Sequence, residues 1–388
     1  MTAVTAVNQN GVERFSKSAR PPIVCEIASA QRFSALEDAW NDLVARAAVP
    51  NVSMHPAVAL AAQMANKPVH VILAWRSCTA DQPPQLVGAW VMTVGRLSSK
   101  LPLRVLISPV DSQMVLSTPV IDAEFISEAI AAMLDAVAAS PDLPKILRAN
   151  EFTADGPVGR ALEEILEDRN APAIVQRRLN RPKLQSALDG TSYLKNSLSA
   201  QRRSELRRYR RRLSEQGKLE VVCHRAPEEV RRAFEEFLVL EASGWKGRHG
   251  SALSQRSQAT ATFTRSMIDG LARHGLAHVV ALRLNGRMVA AQIILRCGRA
   301  AFTCKTAYDE SLRSHAPGLV LMEDVTTTLL KDPDLDYADS STNQSADRIR
   351  SLADFWTERL DVANLLIDVR KGGTLCFSLL RLKSKWYG

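Results

Sequence analysis

The chain has 388 residues, too many for one typical domain, and 46% of them are hydrophobic, which is enough for two cores. The net charge of +9 is local, because seven arginines and one glutamate between Arg202 and Arg212 contribute +6 of it. No run approaches the roughly 18 to 20 apolar residues of a membrane span, and the polar segment 1–24 lacks the apolar core of a secretory signal. The six cysteines show neither a CxxC pair nor a metal-binding spacing. We therefore expect a disordered tail over 1–24, reduced thiols, a cytoplasmic location, and no metal site or membrane span.

Residues 25–180 have the pattern of one α+β unit. Leu36, Trp40 and Leu43 lie on one stripe of a helix predicted over 35–48. Apolar runs and amphipathic stretches predict the other elements of this half: strands over 69–76 and 86–94, a helix over 125–137, a strand over 145–149, a helix over 158–167 and a strand over 173–177.

Residues 181–388 repeat the same order of elements. Asn285-Gly286 is a two-residue hairpin signal, which predicts paired strands over 277–284 and 288–296. The other predicted elements are a basic helix over 198–213, helices over 228–241 and 260–274, a strand over 300–308, a helix from Pro317, a strand over 335–338, a helix over 349–360 and a strand over 364–369. The runs VHVILA at 69–74 and AHVVAL at 277–282 echo each other, which favours a duplicated unit with a boundary near Pro182.

The strand, loop and helix over 300–330 form a candidate binding site. Pro317 suits the first position of a helix, because the N–H that proline lacks would be unpaired there. A loop that passes through Gly318 into a helix N-terminus presents free N–H groups and the positive end of the helix dipole, and this arrangement suits a phosphate group. The first half has no counterpart of Lys305, Tyr308-Asp309 or Pro317-Gly318, so we expect a single active site in the second half.

Four segments of the second half together resemble the GNAT acyltransferase superfamily. They are Glu241–Gly250, Lys305–Glu310, Pro317-Gly318 and Phe355–Arg359. More narrowly, they resemble the CelD-type (cellulose-biosynthesis) acetyltransferases, relatives of the FemAB peptidyltransferases in having two GNAT units. The resemblance implies an α+β fold of two tandem GNAT-like units, each a mixed, mostly antiparallel sheet flanked by helices. The unit over 25–180 would be non-catalytic, and residues 181–388 would form the acyltransferase domain.

The resemblance also implies acetyl-CoA, or another acyl-CoA, as co-substrate. GNAT enzymes hold the CoA pyrophosphate on a [Q/R]xxGx[G/A] loop, and here that register runs from Arg313 through His315, Ala316 and Pro317 to Gly318. The middle glycine of the pattern is replaced by Ala316. FemAB relatives have a remodelled loop and use aminoacyl-tRNA, so the resemblance leaves acyl-CoA and aminoacyl-tRNA as the two candidate donors.

Glu241 and Lys305 are the first two candidate catalytic residues. Glu241 lies on the apolar stripe of its helix, where burial would raise the pKa of the carboxyl toward the range of a general base. The alternative is an ion pair with Lys246 or Lys305. Lys305 lies mid-strand among small and apolar residues, where lysine is unusual. It either orients a carboxylate or phosphate of a substrate or pairs with a neighbouring acid.

Tyr308, Asp309, Trp245 and Lys246 complete the candidate site. By resemblance to GNAT chemistry, Tyr308 would protonate the leaving thiolate; otherwise it is a half-buried residue at a strand end. Asp309 either caps the following loop or binds the acceptor amine. Trp245 and Lys246 either form a wall of the acceptor site or belong to a helix C-cap at Gly244, with the indole in the core.

The basic helix over 198–213 has a narrow apolar seam and a strongly positive face. That face would bind tRNA phosphates, an acidic polysaccharide or an anionic membrane surface, or it is a solvated surface beside acidic residues. No interleaved aromatic residues support stacking on bases, so nucleic acid is not the expected partner.

The leading hypothesis is an acyl-CoA-dependent N- or O-acyltransferase, most simply of acetyl groups. Its acceptor would be an amine or hydroxyl of a small molecule or polysaccharide precursor in exopolysaccharide, cellulose or cell-envelope biosynthesis. The rivals are a FemAB-like aminoacyl-tRNA-dependent transferase and a non-catalytic scaffold of a polysaccharide-synthesis complex. Ala316 at the glycine position favours the scaffold.

Overall fold

The computed structural model describes residues 22–77, 83–98, 103–114, 116–342, 355–374 and 377–378. Thirteen strands within these residues form one sheet. In chain order they are β1 (Ile23–Ala28), β2 (Val69–Arg76), β3 (Gln85–Arg96), β4 (Arg104–Ser108), β5 (Val120–Ile121), β6 (Ile146–Thr153), β7 (Ile174–Leu184), β8 (Leu219–His224), β9 (Ala277–Leu284), β10 (Arg287–Cys297), β11 (Ala300–Tyr308), β12 (Tyr337–Asp339) and β13 (Glu358–Asp368).

The helices of the described residues flank this sheet. They are α1 (Ala30–Ser34), α2 (Glu37–Arg46), α3 (Pro56–Met64), α4 (Ile126–Ala139), α5 (Pro157–Asp168), α6 (Gly190–Ser197), α7 (Ala200–Ser214), α8 (Pro227–Ser243), α9 (Trp245–Arg248), α10 (Leu253–Arg256), α11 (Gln258–Arg273) and α12 (Pro317–Lys331). Four of them (α3, α5, α8 and α12) begin with proline, which suits the first turn because it has no N–H to leave unpaired. None of the described helices is long and apolar enough to cross a membrane.

The strand order reveals two equivalent units. Across the sheet it is β1-β2-β3-β4-β6-β13-β7-β12-β11-β10-β9-β8, with β5 paired to β3. From either edge, three antiparallel pairings lead to one parallel pair, which is β4 with β6 in one unit and β11 with β12 in the other. The predicted α+β fold of duplicated, mostly antiparallel units flanked by helices is therefore confirmed.

The two units exchange their last strands at the centre of the sheet. Strand β7 follows the first unit in the chain, but it pairs with β12 of the second unit. Strand β13 closes the second unit in sequence, but it pairs with β6 of the first. The exchanged strands also pair with each other, from Glu358 opposite Lys183 to Leu366 opposite Ile174. Because β7 continues to Leu184, the division expected near Pro182 lies inside a strand.

Two predictions at the ends of the chain need correction. The helix predicted over 349–360 is wrong at its end, because Glu358–Leu360 belong to β13; Phe355 is helical, and residues 349–354 lie outside the described residues. Pairing with β7 in the middle of the sheet overrides the helical pattern of that segment. The tail expected over 1–24 lies outside the described residues up to position 21, and Ile23 and Val24 pair with β2.

Helix α3 of the first unit packs on α11 of the second. Gly270 permits this approach, since a Cβ there would lie 3.0 Å from the Cβ of Ala57. His55 caps α3: its Nδ1 accepts the N–H of Ala57 at 3.0 Å, and its ring centroid lies 5.2 Å from that of His274. Burial, together with the neighbouring His274, lowers the pKa of His55 to about 3. His55 is therefore neutral in the folded protein at neutral pH.

The lowered pKa of His55 predicts that the folded protein loses stability on mild acidification. The folded-state pKa lies below the ordinary value of 6.5, so the unfolded chain binds a proton that the folded chain does not bind as the pH falls from 6.5 toward 3. The free energy of unfolding should fall by about 2 kcal/mol between pH 7 and pH 5 through this group alone. Denaturant unfolding at the two pH values, with His55→Asn as the comparison, measures the effect. Asparagine keeps an acceptor for Ala57 and does not titrate; an equal decrease in both proteins would contradict the assignment.

Candidate active site

Helix α12 begins from a left-handed residue. A 3-10 turn over Glu310–His315 follows β11 and leads to Ala316, which has φ 43° and ψ 54°, and Pro317 then opens the helix. The left-handed region favours glycine, because a Cβ crowds the neighbouring carbonyl oxygen. Position 316 therefore has the backbone that the GNAT loop pattern assigns to glycine, although the residue is alanine. No side chain of the described residues caps this N-terminus. The N–H of Leu319 donates to the carbonyl of Ala316 at 2.9 Å, whereas the N–H of Gly318 has no partner among the described residues and is available to a ligand.

Strands β11 and β12 separate after three paired residues. Ala300–Phe302 pair with Tyr337–Asp339, after which β11 continues to Tyr308 without a parallel neighbour among the described residues. On its other side, the register between β11 and β10 shifts, which leaves Cys304 as a bulge residue with no partner on β10. The strand is therefore irregular at the point where it leaves β12.

A cavity of about 630 Å³ occupies this split. Residues 303–306 of β11 and the start of α12 at Ala316 and Gly318 line one part of it. The first unit lines another part through residues 112–114 and through Glu151. The cavity is therefore built from both units, and it brings together seven of the predicted site residues: Trp245, Lys246, Lys305, Tyr308, Arg313, Ala316 and Gly318.

Glu241 is buried, as its position on the apolar stripe of α8 predicts, but both of its carboxylate oxygens are occupied. Oε1 accepts from Nζ of Lys246 at 2.8 Å, and Oε2 accepts from the N–H of Leu253 at 2.8 Å. The carboxylate therefore holds Lys246 and the start of α10 in place. It borders a separate cavity of about 30 Å³, which is room for one water molecule, next to the main cavity.

Lys305 lines the main cavity and forms no direct ion pair with a described residue, although the carboxylate of Glu241 is near enough to act on it electrostatically. It makes no ion pair or hydrogen bond with any residue that the structure describes, although it is largely enclosed. Burial lowers the pKa of Lys305, and the nearby Lys246 acts in the same direction. The pairing with Glu241 or Asp309 considered from the sequence is not formed. The ammonium group is therefore available to a ligand that binds in the cavity.

Trp245 and Lys246 form one wall of the cavity. The indole is 50% exposed, so it is not the core residue that the helix-cap alternative required. The backbone N–H of Trp245 donates to Oε1 of Glu310 at 2.6 Å, and Nζ of Lys246 also contacts the carbonyl of Thr306 at 3.3 Å. Gly247 is needed behind them, since a Cβ there would lie 1.7 Å from the carbonyl oxygen of Ala242.

Tyr308 and Asp309 have different surroundings. Tyr308 lines the cavity, is 39% exposed, and lies beside Gly318, whose Cβ position would be 3.5 Å from Cδ1 of the tyrosine. Asp309 caps the 3-10 turn by accepting the N–H of Ser311 at 2.9 Å, and its other oxygen pairs with Arg287 at 2.6 Å. Asp309 does not line the cavity, and its contacts are those of the capping alternative.

Arg313 and His315 lie on the two sides of the 3-10 turn. Arg313 lines the cavity beside the N-terminus of α12. The imidazole of His315 contacts Gln216 at 3.2 Å through Nε2 and Ser314 at 3.0 Å through Nδ1, and it does not line the cavity. Of the two, Arg313 is the side chain placed to contact an anionic group in the cavity.

The sequence reasoning missed Glu151, Arg181 and Asp339. The guanidinium of Arg181 has no exposed surface; it donates to Oε2 of Glu151 at 2.8 Å and pairs with the buried Asp339. The three residues lie on β6, β7 and β12, so the cluster exists only because β7 lies beside the second unit. Arg181 follows Arg177 and Arg178 in a polar strand, and no local signal distinguishes it from them.

Cys304 is a poor nucleophile although it lines the cavity. Burial raises the pKa of its thiol to about 12, so the thiolate that would attack an acyl group is scarce at neutral pH. The chemistry that this cavity can support is therefore direct transfer between two bound substrates.

Helix α7 confirms the predicted apolar seam of the basic helix. It begins at Ala200 because Ser199 caps it, and Leu206 and Leu213 are fully buried. Arg210 pairs with Glu323 and Asp324 of α12, each at 2.9 Å. Four other arginines of the helix are exposed: Arg207, Arg208, Arg211 and Arg212.

The left-handed conformation of Ala316 predicts that glycine at this position stabilises the protein. Ala316→Gly should raise the free energy of unfolding by about 1 kcal/mol, because it relieves the Cβ strain at φ 43°. Ala132→Gly, inside helix α4, is the matched control and should lower it by about 1 kcal/mol. Denaturant unfolding of the two variants measures both changes. A loss of stability in both would show that position 316 behaves as ordinary backbone.

Comparison with known proteins agrees with this geometry. Residues 200–339 match the family model described as "Acetyltransferase (GNAT) domain". No curated protein matches the chain in sequence. The chain is similar to the solved structure of FemX, with a TM-score of 0.56, 11% identity, and coverage of 93% of this chain and 99% of that one.

Two further solved structures share the fold over most of the chain. A conserved protein of unknown function from Bacteroides thetaiotaomicron VPI-5482 has a TM-score of 0.54 and 12% identity, over 89% of this chain and 99% of that one. A DUF2156 domain from Agrobacterium fabrum has a TM-score of 0.51 and 13% identity, over 91% and 96%. Identities this low show the fold alone. The residues 200–339 that match this family model contain the bulged strand β11 and helix α12.

Proposed function

We propose that the protein is an acyl-CoA-dependent acyltransferase that transfers an acetyl group to an amine or hydroxyl acceptor. The observation that carries this proposal is the continuity of the 630 Å³ cavity, which joins the split between β11 and β12 to the uncapped N-terminus of α12. A thioester donor with a pyrophosphate at its far end has complementary groups at both places.

The donor would lie along β11, on the side where this strand separates from β12. Its pyrophosphate would accept a hydrogen bond from the N–H of Gly318 and a charge-assisted bond from Arg313, both of which line the cavity. Its acyl carbonyl would lie beside the bulge at Cys304, where the backbone has no partner on β10. Polarisation of that carbonyl by strand N–H groups stabilises the charge that develops on its oxygen during attack.

Catalysis would proceed by direct attack of the acceptor on the thioester. Tyr308, exposed in the cavity beside Gly318, would give a proton to the departing thiolate. Trp245 and Lys246 would form the acceptor wall, and Glu241 would act by holding Lys246 in position. We propose small molecules or precursors of exopolysaccharide or cell-envelope polymers as acceptors, on the strength of the CelD-type resemblance of segments 241–250 and 305–310.

We propose that residues 25–180 contain no donor site of their own and that residues 181–388 carry the transferase chemistry. In the first unit, residues 117 and 118 contact both strands of the equivalent pair. Oγ of Ser108, at the end of β4, donates to the carbonyl of Ser117 at 3.5 Å, and the N–H of Thr153, at the end of β6, donates to Oγ1 of Thr118 at 2.8 Å. We propose that these contacts take the place that a pantetheine arm would need.

Calorimetric titration with acetyl-CoA tests the proposal. We expect micromolar binding, and Gly318→Trp should weaken it at least about tenfold, because the indole would occupy the space next to Tyr308 at the start of α12. Ala259→Trp, an equally large insertion on the exposed face of α11, is the matched control and should bind normally. An absence of binding by the folded wild-type protein would overturn the use of acyl-CoA.

The exposed arginines of α7 favour aminoacyl-tRNA as the alternative donor. If Arg207, Arg208, Arg211 and Arg212 bind phosphates, changing all four to glutamate should abolish tRNA binding. Changing all four to lysine should preserve it, because the charge remains. The slope of log affinity against log salt should fall by about 0.9 for each phosphate that the protein no longer neutralises. Filter binding of charged tRNA at several salt concentrations measures this, and salt-independent or absent binding by the wild-type protein would eliminate this donor.

A further inference from the structure

One carboxylate of the first unit, that of Glu151, opens into the active-site cavity. Glu151 lies in β6 with φ 55°, a left-handed conformation that is unfavourable for a residue with a Cβ. Its N–H donates to Oδ1 of Asn364 at 2.8 Å, at a point where the register between β6 and β13 shifts. The bulge turns the side chain of Glu151 toward the second unit. Strained non-glycine residues of this kind often lie at functional sites.

The surroundings of Glu151 leave one of its oxygens available. Oε2 accepts from Arg181 at 2.8 Å, whereas Oε1 accepts no hydrogen bond from any residue that the structure describes. Arg181 is shared with Asp339, so two carboxylates divide one guanidinium, and Arg177 is a further positive charge near Glu151. Burial raises the pKa of Glu151. The free oxygen is thus suited to receive a cation or a proton.

Lys305 supplies the opposite charge in the same cavity. Its ammonium group pairs with no described residue, Glu151 included, so the two charges do not satisfy each other directly. An enclosed charge without a partner is costly, and a ligand that carries the complementary charge removes that cost. A ligand with both charges would satisfy the carboxylate and the ammonium group together.

We propose that the acceptor is an amine that also carries an anionic group, a carboxylate or a phosphate, and that its amine binds Glu151 while its anion binds Lys305. The proposal rests on the transferase function above and narrows its substrate class. It also makes Glu151 a catalytic residue contributed by the first unit, whereas Glu241 keeps its role of positioning Lys246.

The reaction balances with these groups alone. The acceptor enters as an ammonium ion, and Oε1 of Glu151 takes one of its protons, which later passes to solvent. The nitrogen lone pair then forms the C–N bond with the acyl carbon, and collapse of the tetrahedral adduct breaks the C–S bond. The thiolate takes a proton from Tyr308, which recovers one from the nitrogen of the new amide. The products are the amide, free CoA thiol and one released proton.

Matched pairs of amines test the substrate class. With saturating acetyl-CoA, release of the CoA thiol would be followed for glycine, β-alanine and 4-aminobutanoate, each against its own primary amide. A comparison of glucosamine 6-phosphate with glucosamine tests whether the anionic group is a phosphate. For at least one pair, we expect kcat/KM of the charged member to exceed that of the neutral member by at least about tenfold, because the neutral member leaves Lys305 unpaired. The pair that shows the preference identifies the anion as carboxylate or phosphate.

Variants assign the two ends of the acceptor. For the preferred pair, Lys305→Met should bring the ratio of kcat/KM between the charged and the neutral member to about one. Glu151→Gln keeps a hydrogen-bond acceptor for Arg181 but cannot take the proton, and it should lower kcat roughly 100-fold with acetyl-CoA affinity unchanged. Glu164→Gln, exposed on α5 in the same unit, is the matched control and should have wild-type rates.

The outcomes separate this proposal from the transferase function. Equal rates within every pair, or no turnover of any charged member while acetyl-CoA binds, would overturn the acceptor class and leave the donor site standing. Wild-type kcat in Glu151→Gln would overturn the catalytic role of Glu151. Failure of acetyl-CoA to bind would instead remove the transferase function itself, and this is established first by calorimetry on the same protein.

Discussion

The contact on which the rest of the structure depends is the buried guanidinium of Arg181, which pairs with one carboxylate from each unit. It lies on the exchanged strand β7, between Glu151 of β6 and Asp339 of β12. Removal of one partner from a buried ionic network typically costs about 3–5 kcal/mol, because the remaining charges stay buried without compensation. This cluster therefore fixes where the two units meet, and the cavity opens at that junction.

The two units share one topology but differ beside their parallel strand pairs. Both have a bulged antiparallel ladder that leads to a parallel pair. In the first unit, Ser117 and Thr118 make hydrogen bonds with Ser108 of β4 and Thr153 of β6. In the second unit, β12 ends after three residues, and among the described residues a cavity lies beside the split. The first unit nevertheless supplies Glu151 and residues 112–114 to the open site.

Local signals account for what the sequence predicted correctly. The strands Val69–Arg76, Ala277–Leu284 and Ala300–Tyr308 have the predicted bounds because apolar runs and the Asn285-Gly286 turn determine them locally. The convergence of Lys305, Tyr308 and Gly318 followed from one strand-loop-helix segment. The first part of strand β13, which was predicted as helix, and the pair between Arg181 and Asp339 were missed, because they depend on pairing between residues more than 150 positions apart, to which no periodicity refers. Glu241 was predicted to be buried, but its second partner, the N–H of Leu253, could not be foreseen.

The strand exchange has a consequence for synthesis on the ribosome. The sheet of the first unit needs β13 beside β6, and β13 (Glu358–Asp368) follows β6 by more than 200 positions. While the second unit is being translated, β6 therefore presents an unpaired edge with free N–H and C=O groups, which is a template for wrong pairing. The first unit completes its sheet only after residues 358–368 have emerged. The first unit therefore cannot complete its fold before the second unit has been made, and the two units must reach the native state together.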